Sequence, residues 1–283
     1  MKNRKRPVDV VIISDVHLGT YGCHANELLR YLKSIRPKKL ILNGDIIDMW
    51  QFSKRYWPAS HMLIIKHITS LLAKGTEVVY IAGNHDEMLR KFVGFRLGKF
   101  RIENKLVLHM DNTRTWVFHG DVFDVTMKHS RWLAKLGAAG YDSLILLNTA
   151  VNFISGKFGH GKISLSGRIK NSVKSAIKFI DDFESTAADI AIENSYDFVA
   201  CGHIHQPQYR HVSTEKGTVT YLNSGDWIEN LTSLEYHSGR WHLYHYEEDN
   251  NAQSVELSKM AAEQLNNELI FSNMINEFLA ARI

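Results

Sequence analysis

The chain has 283 residues, of which 45% are hydrophobic and 23% charged, with a formal net charge of +4. This composition excludes a disordered or collagen-like chain, and the length allows one large domain or two small ones. No stretch reaches the roughly 18 uninterrupted apolar residues that a membrane span needs, and the basic N-terminus lacks a signal-peptide core. Two cysteines, Cys23 and Cys201, give no disulfide framework. We therefore expect a cytoplasmic protein with reduced thiols.

Positive charge is concentrated in one block of the chain. Residues 122–178 carry nine Lys and Arg against two acids, Asp124 and Asp142. Such a block indicates an anionic partner, which would be a phosphate-bearing substrate, an anionic membrane surface or nucleic acid. A solvated helix face gives the same pattern, so both interpretations stay open.

The first half of the chain alternates strand and helix patterns. The predicted strands are residues 8–13, 39–42 and 77–82. The predicted helices are residues 25–35 and 58–73, and Gly75 is placed to stop the second. Three strand–loop–helix units in succession predict βαβ construction and a largely parallel sheet.

The second half predicts more strands around a long helical block. Helical periodicity runs from about residue 123 to 195, and an amphipathic helix pattern begins near residue 252. The predicted strands are residues 106–109, 115–118, 196–201 and 219–222, followed by a hairpin of residues 232–237 and 241–246. We therefore predict a discontinuous core of residues 1–121 and 196–248, a helical cap of residues 122–195 and a C-terminal helical tail of residues 249–283.

Side chains that bind metals follow five of these strands. They are Asp15 and His17, then Asp45, Asn84 with His85, His119, and His203 with His205. Residues two apart just beyond a strand would point the same way and converge. Imidazole with carboxylate and amide oxygens suits Mn, Fe, Zn or Co better than Mg or Ca. The pattern predicts a metal site in which Asp45, between Gly44 and Ile46, could bridge two ions.

Each fragment alone has an ordinary structural interpretation. Asp15 could cap a helix, His119 could be a satisfied strand-end histidine, and the later histidines could lie on the surface. It is their occurrence at successive strand ends that favours a site.

The combined motifs resemble those of the calcineurin-like metallophosphoesterases over about residues 8 to 245. They are Asp15-x-His17, Gly44-Asp45-x-x-Asp48, Gly83-Asn84-His85-Asp86, His119 and Gly202-His203-x-His205. The resemblance implies an α/β fold, namely a four-layer αββα sandwich of two mixed β-sheets with a helical cap insertion. The functional site would lie at the strand ends.

The resemblance also implies two divalent ions, with Mn expected first and Fe, Zn or Co as alternatives. One ion would be held by Asp15, His17, Asp45 and His205, and the second by Asp45, Asn84, His119 and His203. Two ions roughly 3.5–4 Å apart would turn a bridging water into the hydroxide that attacks phosphorus. His85 would stabilise the transition state or protonate the leaving group, with Asp86 orienting its ring.

Within this family, the insertion between His119 and His203 resembles the cap of the UDP-2,3-diacylglucosamine hydrolases of the lipid A pathway. Asp48-Met49-Trp50 also resembles that group. The resemblance implies cleavage of the pyrophosphate of UDP-2,3-diacylglucosamine, a phosphorylated glycolipid precursor, to UMP and 2,3-diacylglucosamine 1-phosphate. One departure is His85, where those hydrolases often have Arg, so a relative acting on another phosphoester remains an alternative.

The cap composition agrees with a lipid substrate. Its apolar residues would line an acyl-chain groove: Trp132, Leu133, Leu136, Leu144, Ile145, Leu146, Leu147, Phe153 and Ile154. Arg168, Asn171, Lys174 and Lys178 would meet phosphate or glucosamine groups. Packing between helices would explain the apolar set equally well, and a solvent-exposed helix face would explain the basic set equally well. A basic cap would also rest on anionic headgroups, as a peripheral protein of the inner face of the cytoplasmic membrane.

Two further functions stay open at this stage. A nuclease of the same family would stack bases on aromatic side chains such as Tyr56, Trp57 and Trp227. The sequence does not predict an obligate nucleic-acid partner. A non-catalytic scaffold would be expected to have lost ligands, and none is missing. The C-terminal helix would pack on the domain or form a homodimer.

Overall fold

The computed structural model describes residues 5–50, 56–123 and 168–257, with only the backbone for residues 168–177. The helices in these ranges are α1 (Ala25–Ser34), α2 (Ala59–Ala73), α3 (Arg168–Glu193) and α4 (Asn250–Gln253). The strands are β1 (Arg6–Ile13), β2 (Ile35–Asn43), β3 (Glu77–Ile81), β4 (Arg96–Leu97), β5 (Phe100–Glu103), β6 (Lys105–Met110), β7 (Thr113–Phe118), β8 (Phe198–Cys201), β9 (Gln208–Thr214), β10 (Gly217–Asn223), β11 (Thr232–His237) and β12 (Arg240–His245).

The strands form two mixed sheets. The seven-stranded sheet has the order β12-β11-β1-β2-β3-β5-β4, and the five-stranded sheet has the order β6-β7-β8-β10-β9. The pairs β1–β2, β2–β3 and β3–β5 are parallel, whereas β11 pairs antiparallel with both β1 and β12. In the second sheet β8 lies parallel to β7 and β10, and the outer pairs are antiparallel. The predicted α/β fold of two mixed sheets is confirmed.

The two sheets face each other across an apolar layer. Val10, Ile12 and Ile41 of the larger sheet pack in the same cluster as Val117 and Leu222 of the smaller one. Successive strand residues point to opposite faces, so Val11 and Ile13 instead pack toward α1 and α2. Strands buried on both faces read as continuous apolar runs, which is why β1 was recognisable from the sequence.

Helices cover the outer face of each sheet. Leu28, Leu29 and Leu32 of α1 are buried against the larger sheet together with α2. Phe183 and Ala187 of α3 belong to the cluster on the outer face of the smaller sheet. The layers therefore follow the order helix, sheet, sheet, helix.

The boundaries of some elements differ from the sequence prediction. α1 runs directly into β2, because Ile35 already has extended dihedral angles and buries its side chain. β4, β5 and β9 were not predicted. Charged residues interrupt β5, and most of β9 is exposed at a sheet edge, so neither shows a clear apolar pattern.

Two hairpin turns follow simple backbone rules. Asp111 and Asn112 have φ values of 46° and 65°, and Ser238 and Gly239 have φ values of 54° and 76°. Two consecutive left-handed residues match the twist of antiparallel strands, so the predicted hairpin of β11 and β12 forms, and β6 and β7 form another.

Several predicted features lie wholly or partly outside the described residues. Most of the predicted cap falls in residues 124–167, and the tail beyond residue 257 is likewise not described, so the domain boundaries stay predictions. Cys23 and Cys201 are both free thiols. Within the described ranges, none of the helices combines the length and the apolar character needed to span a bilayer.

Candidate metal centre

The residues expected to bind metal lie where β1, β2 and β3 of one sheet and β7 and β8 of the other come to an end. Asp15 and His17 follow β1, Asp45 follows β2, and Asn84 follows β3. His119 follows β7, and His203 and His205 follow β8. Parallel strands end at the same edge of a sheet, so these loops meet at one place.

Hydrogen bonds fix the loops to one another. The backbone N–H groups of Val16 and His17 both donate to the carbonyl of Asp45 at 2.9 Å. Across the two sheets, Asn43 Nδ2 donates to the carbonyl of Phe118 at 2.9 Å, and the His203 N–H donates to Asp15 Oδ2 at 3.0 Å. The site is therefore a rigid junction of both sheets.

Five of the seven expected metal ligands have a left-handed backbone. The φ angles are 52° at Asp15, 52° at His17, 54° at Asp45, 69° at His203 and 52° at His205. Such angles are uncommon for residues with a Cβ and cost of order 1–2 kcal/mol each. The expectation that these pairs converge by continuing an extended strand is therefore wrong. Asp15 and His17 come together through strained turns that the surrounding hydrogen bonds hold in place, whereas His203 lies with Asp45 and His119, and His205 with Asp15 and His17.

Glycines leave room for the functional side chains. A Cβ on Gly202 would lie 2.4 Å from Ser14 Oγ and 2.5 Å from Asp15 Oδ2. A Cβ on Gly44, whose φ is +82°, would lie 2.3 Å from His119 Nδ1. These contacts are too short for any side chain, so the glycines in the motifs are required by packing around the site.

One group of possible metal ligands consists of Asp15, His17 and His205. His205 Nε2 lies 3.2 Å from Asp15 Oδ1, and its Nδ1 lies 3.8 Å from Asp226 Oδ2. Asp226 is buried behind the ring and accepts hydrogen bonds from the N–H groups of Ile228 and Asn230. The His205 ring is thus placed between two carboxylates, one of which faces the centre.

A second group consists of Asp45, His119 and His203. His119 Nδ1 donates a hydrogen bond to the carbonyl of Asn43 at 2.9 Å, which leaves Nε2 at 3.3 Å from Asp45 Oδ2. The His119 and His203 rings lie 5.2 Å apart. A hydrogen bond on one ring nitrogen fixes the tautomer and directs the other nitrogen's lone pair, which is how metal-binding histidines are oriented.

Besides Asn43 Oδ1, four buried polar atoms at this junction lack a hydrogen-bond partner within the described residues. They are Asp15 Oδ1, His17 Nε2, Asn84 Oδ1 and His119 Nε2. Buried polar atoms are almost always paired, so four buried nitrogen and oxygen atoms without a hydrogen-bond partner around one centre need an explanation. All four belong to residues expected to bind metal, and their mixture of nitrogen and oxygen fits borderline divalent ions.

The electrostatics keep the carboxylates ionised. Burial by itself would raise the pKa of Asp15, but His205 lowers it to about 2. Burial is likewise outweighed at Asp45, where His119 holds the pKa well below its ordinary value. The same pairs raise the pKa of His205 to about 9 and that of His119 well above its usual range, despite burial. Cation binding would have to displace these protons.

Asp48, rather than Asp86, contacts the His85 ring. Asp48 Oδ2 lies 2.9 Å from His85 Nδ1 and 3.2 Å from His17 Nδ1. The oxygens of Asp86 accept hydrogen bonds from the N–H groups of Gly83 and Ile46 and from the Tyr80 hydroxyl. The predicted role of Asp86 in orienting His85 is therefore wrong, because its carboxylate faces the loop backbone.

Two residues that contact His85, Asp48 and Trp50, were not among the predicted site residues. Asp48 was part of the quoted motif but was given no role, although its place in that motif was the available signal. Trp50 is 50% exposed, and its ring lies 4.2 Å from that of His85. The resemblance of the segment Asp48-Met49-Trp50 to the UDP-2,3-diacylglucosamine hydrolases was the available signal for Trp50.

Of the remaining predicted residues, the structure describes only the side chains of Tyr56, Trp57, Lys178 and Trp227. Lys178 is exposed, and the side chains of Arg168, Asn171 and Lys174 are outside the described part, as is the apolar set of the cap. Trp227 is fully buried, so it cannot stack on a nucleic-acid base. Tyr56 instead stacks on the exposed Tyr21, with ring centroids 3.7 Å apart.

Comparison with known proteins gives a family match. The model of the family described as "Calcineurin-like phosphoesterase" matches residues 8–207. This range contains every candidate metal ligand named above.

Individual relatives are more distant. The chain is 21% identical to a UDP-2,3-diacylglucosamine hydrolase of Aliivibrio fischeri (strain MJ11), with 80% of this chain and 94% of the relative covered. It is 24% identical to the protein of the same name from Blochmanniella pennsylvanica (strain BPEN), with 75% and 85% covered. A solved structure described as a novel archaeal phosphodiesterase aligns with a TM-score of 0.41 at 12% identity, covering 83% of this chain and 98% of that one.

Proposed function

The chain belongs to the calcineurin-like phosphoesterase family, and on this premise we propose that it hydrolyses the pyrophosphate of UDP-2,3-diacylglucosamine with two divalent metal ions. The products would be UMP and 2,3-diacylglucosamine 1-phosphate. The observation that carries the metal-dependent chemistry is the set of buried atoms without a hydrogen-bond partner on Asp15, His17, Asn84 and His119 at one junction of the two sheets.

Two ions fit the residues that are present. Asp15, His17, Asp45 and His205 would hold one, while Asp45, Asn84, His119 and His203 would hold the other, with Asp45 shared. The ligand atoms of Asp15, His17 and His205 lie within 4.8 Å of one another, and so do those of Asp45, His119 and His203. When bound, such ions lower the pKa of a water and neutralise charge on phosphoryl oxygens. Mn²⁺ is the ion we propose, because the mixed nitrogen and oxygen ligands accept it readily.

His85 is placed to act on the substrate as an acid. Burial alone would lower its pKa, but the hydrogen bond to Asp48 and the charge of Asp45 raise it. Its Nδ1 is engaged by Asp48, and its Nε2 lies 4.0 Å from Asp45 Oδ2, toward the metal centre. His85 would therefore present an Nε2–H to a phosphoryl oxygen or to the leaving group.

The substrate proposal rests on the relatives. Both hydrolases named above are aligned over 85% or more of their own length, so the similarity includes the region between β7 and β8. A substrate with acyl chains also agrees with the apolar and basic composition predicted for the cap. We further propose that the protein acts as a peripheral protein at an anionic membrane surface in the cytoplasm, where such a lipid would reside.

The test is a direct hydrolysis assay. The Mn²⁺-loaded protein is incubated separately with UDP-2,3-diacylglucosamine, with single-stranded DNA and with a generic aryl phosphodiester. We expect UMP release from the first substrate and at least roughly a hundredfold lower kcat/KM for the others, because only the first matches both the metal centre and an apolar cap.

The outcomes separate the alternatives. Cleavage of the generic diester without UMP release would keep the metal-dependent hydrolase and refute the lipid substrate. Cleavage of DNA would favour a nuclease. Inactivity towards all three substrates, together with a protein that binds no metal, would favour a non-catalytic scaffold.

A further inference from the structure

A cavity of about 780 Å³ lies at the end of the seven-stranded sheet opposite to the metal centre. Its walls come from the beginnings of β1, β2 and β3, the C-terminal end of α2, and the β4–β5 hairpin. The metal centre follows the other ends of β1, β2 and β3. Because β1 has eight residues, the two sites are separated by roughly 25 Å. The cavity is thus distinct from the metal centre.

The cavity is lined by many more cations than acids. The charged residues in its wall are Lys5, Arg36, Lys38, Lys74, Arg96, Lys99, Arg101 and Glu77. Glu77 pairs with Arg101 at 3.1 Å, and Arg96 reaches Glu103 at 3.5 Å. Lys38 pairs with Asp9 at 2.6 Å. Several other cations in the wall form no ion pair with an acid in the described part of the chain.

The uncompensated cations repel one another. Across the part of the chain that is described, no acid forms an ion pair with Lys5, Arg36 or Lys74. Partial burial and the charges of Lys74 and Lys33 lower the pKa of Lys5. An anion placed between these side chains would relieve that repulsion.

The end of α2 accounts for only part of this charge. Lys74 follows the helix, and Lys99 Nζ donates to the carbonyl of Gly75 at 2.8 Å, as expected where helix carbonyls attract cations. Lys5 directly precedes β1 and Arg36 is the second residue of β2, so the helix end does not explain them.

The shape and lining of the cavity fit a phosphate carried by a larger molecule. Its volume lies in the range of small-molecule sites. Val8, Ile35 and Leu71 form an apolar wall beneath the cations. Ammonium and guanidinium groups at the rim are the side chains that bind phosphate most strongly.

We propose that this cavity is a second phosphate-binding site, which takes phosphate groups carried either by an anionic lipid headgroup or by a free phosphorylated molecule. The neighbouring β4–β5 hairpin favours a lipid headgroup as the carrier of the phosphate. Leu97 is 65% exposed and Phe95 is 47% exposed beside the cavity. Apolar side chains next to cations are the arrangement that contacts a bilayer surface. The proposal does not depend on the hydrolase activity.

The test compares two double variants of the full-length chain. Arg36→Ala with Lys74→Ala removes two cations of the cavity. The control, Lys105→Ala with Arg240→Ala, removes the same charge from exposed positions elsewhere on the two sheets. All four side chains are exposed, so both proteins should keep the wild-type unfolding midpoint.

Binding is measured in two arms. One arm uses phosphatidylcholine vesicles with and without phosphatidylglycerol, and the other uses inorganic pyrophosphate. We expect the cavity variant to bind about tenfold or more weakly in at least one arm, since charge-assisted hydrogen bonds are lost. The control should stay within about twofold of wild type, because its charges touch no ligand.

The arms identify the source of the phosphate. Loss in the vesicle arm alone assigns a lipid headgroup, whereas loss in the pyrophosphate arm, with or without the vesicle arm, assigns free phosphates as ligands. Pyrophosphate also binds a metal centre, so only the difference between the two variants is scored. Equal binding by the two variants in both arms would overturn the proposal. Should the first pair alter the unfolding midpoint, Lys5→Ala with Lys99→Ala tests the same cavity.

Discussion

At the scale of single residues, Asp48 holds two histidines with one carboxylate oxygen. Its Oδ2 meets Nδ1 of His17 and of His85, while its Oδ1 accepts the N–H of Trp50 at 3.0 Å. Because Nδ1 of each ring contacts Asp48, the Nε2 atoms of His17 and His85 point away from Asp48. One residue therefore orients both a proposed metal ligand and the proposed acid.

The first prediction concerns the replacement of Asp48 or His85. Asp48→Asn should lower kcat by about 10–100-fold, because the amide removes the charge that holds both rings. His85→Ala should lower kcat further while the bound metal is retained, since His85 is not a proposed ligand. Steady-state kinetics and metal analysis of each purified variant provide the measurement.

A surface acid serves as the control for Asp48. Asp9→Asn breaks an exposed ion pair with Lys38 and should leave kcat unchanged. A fully active Asp48→Asn protein would show that the carboxylate has no orienting role. A fully active His85→Ala protein would remove the proposed acid.

At the scale of elements, α2 supports the loop that follows β1. The Gly19 N–H donates to His61 Nδ1 at 3.0 Å, and His61 is 2% exposed. Burial lowers the pKa of His61 to about 4. If His61 were protonated, its Nδ1–H would point at the Gly19 N–H, and two donors would face each other. The hydrogen bond therefore requires the neutral imidazole.

The second prediction is a stability loss in acid that depends on His61. Its folded pKa, about 4, lies below the ordinary histidine pKa of 6.5, so the unfolded chain binds the proton more readily. The contribution of His61 is complete above pH 6.5 and is lost as the pH falls toward 4. At pH 4.5 the loss should be about 2 kcal/mol.

Urea unfolding at pH 7 and pH 4.5 measures this loss. His61→Gln can still accept the Gly19 N–H but does not titrate, so its free energy of unfolding should fall less between the two pH values. An equal fall in wild type and variant would contradict the role of His61.

The third prediction concerns the loop after β2. Gly44 has a φ of +82°, and its added Cβ would overlap His119, whereas Gly94 has a φ of +88° and no atom within 4 Å of its added Cβ. Both Ala variants should lose about 1–2 kcal/mol of unfolding free energy from backbone strain. Only Gly44→Ala should also lose metal and activity, because His119 must move.

Chemical denaturation and metal analysis of both Ala variants test this comparison. Alanine at either position would have the same backbone strain, because the φ angles are similar. The difference between Gly44→Ala and Gly94→Ala therefore measures the effect of the clash with His119. A Gly44→Ala protein that kept full metal content would show that His119 is not held in a ligand position.

At the scale of the whole molecule, strands could be predicted from the sequence where their apolar residues form a continuous run. β1, β2 and β3 bury both faces and were therefore recognisable, whereas β5 and β9 carry charged or exposed residues and depend on neighbouring strands. The expected ligands were identified by residue type and by their position after strands. Their left-handed turns and the pairing of His85 with Asp48 depend on contacts between distant segments, which local patterns do not encode.

The two sheets meet at the metal centre. Asp15, His17, Asp45 and Asn84 belong to loops of the larger sheet, and His119, His203 and His205 to loops of the smaller one. Two ions bound as proposed would therefore join the sheets as well as supply the chemistry. Asp45 is the central residue of this arrangement, because both ions would share it.

The most direct test is the metal content of the purified chain after saturation with Mn²⁺ and removal of free ions. We predict two ions per wild-type chain, and fewer than one per chain with loss of phosphoester hydrolysis in Asp45→Ala. A wild-type chain that binds no ion or a single ion, or an Asp45→Ala chain that still binds two, would contradict a dinuclear centre bridged by Asp45.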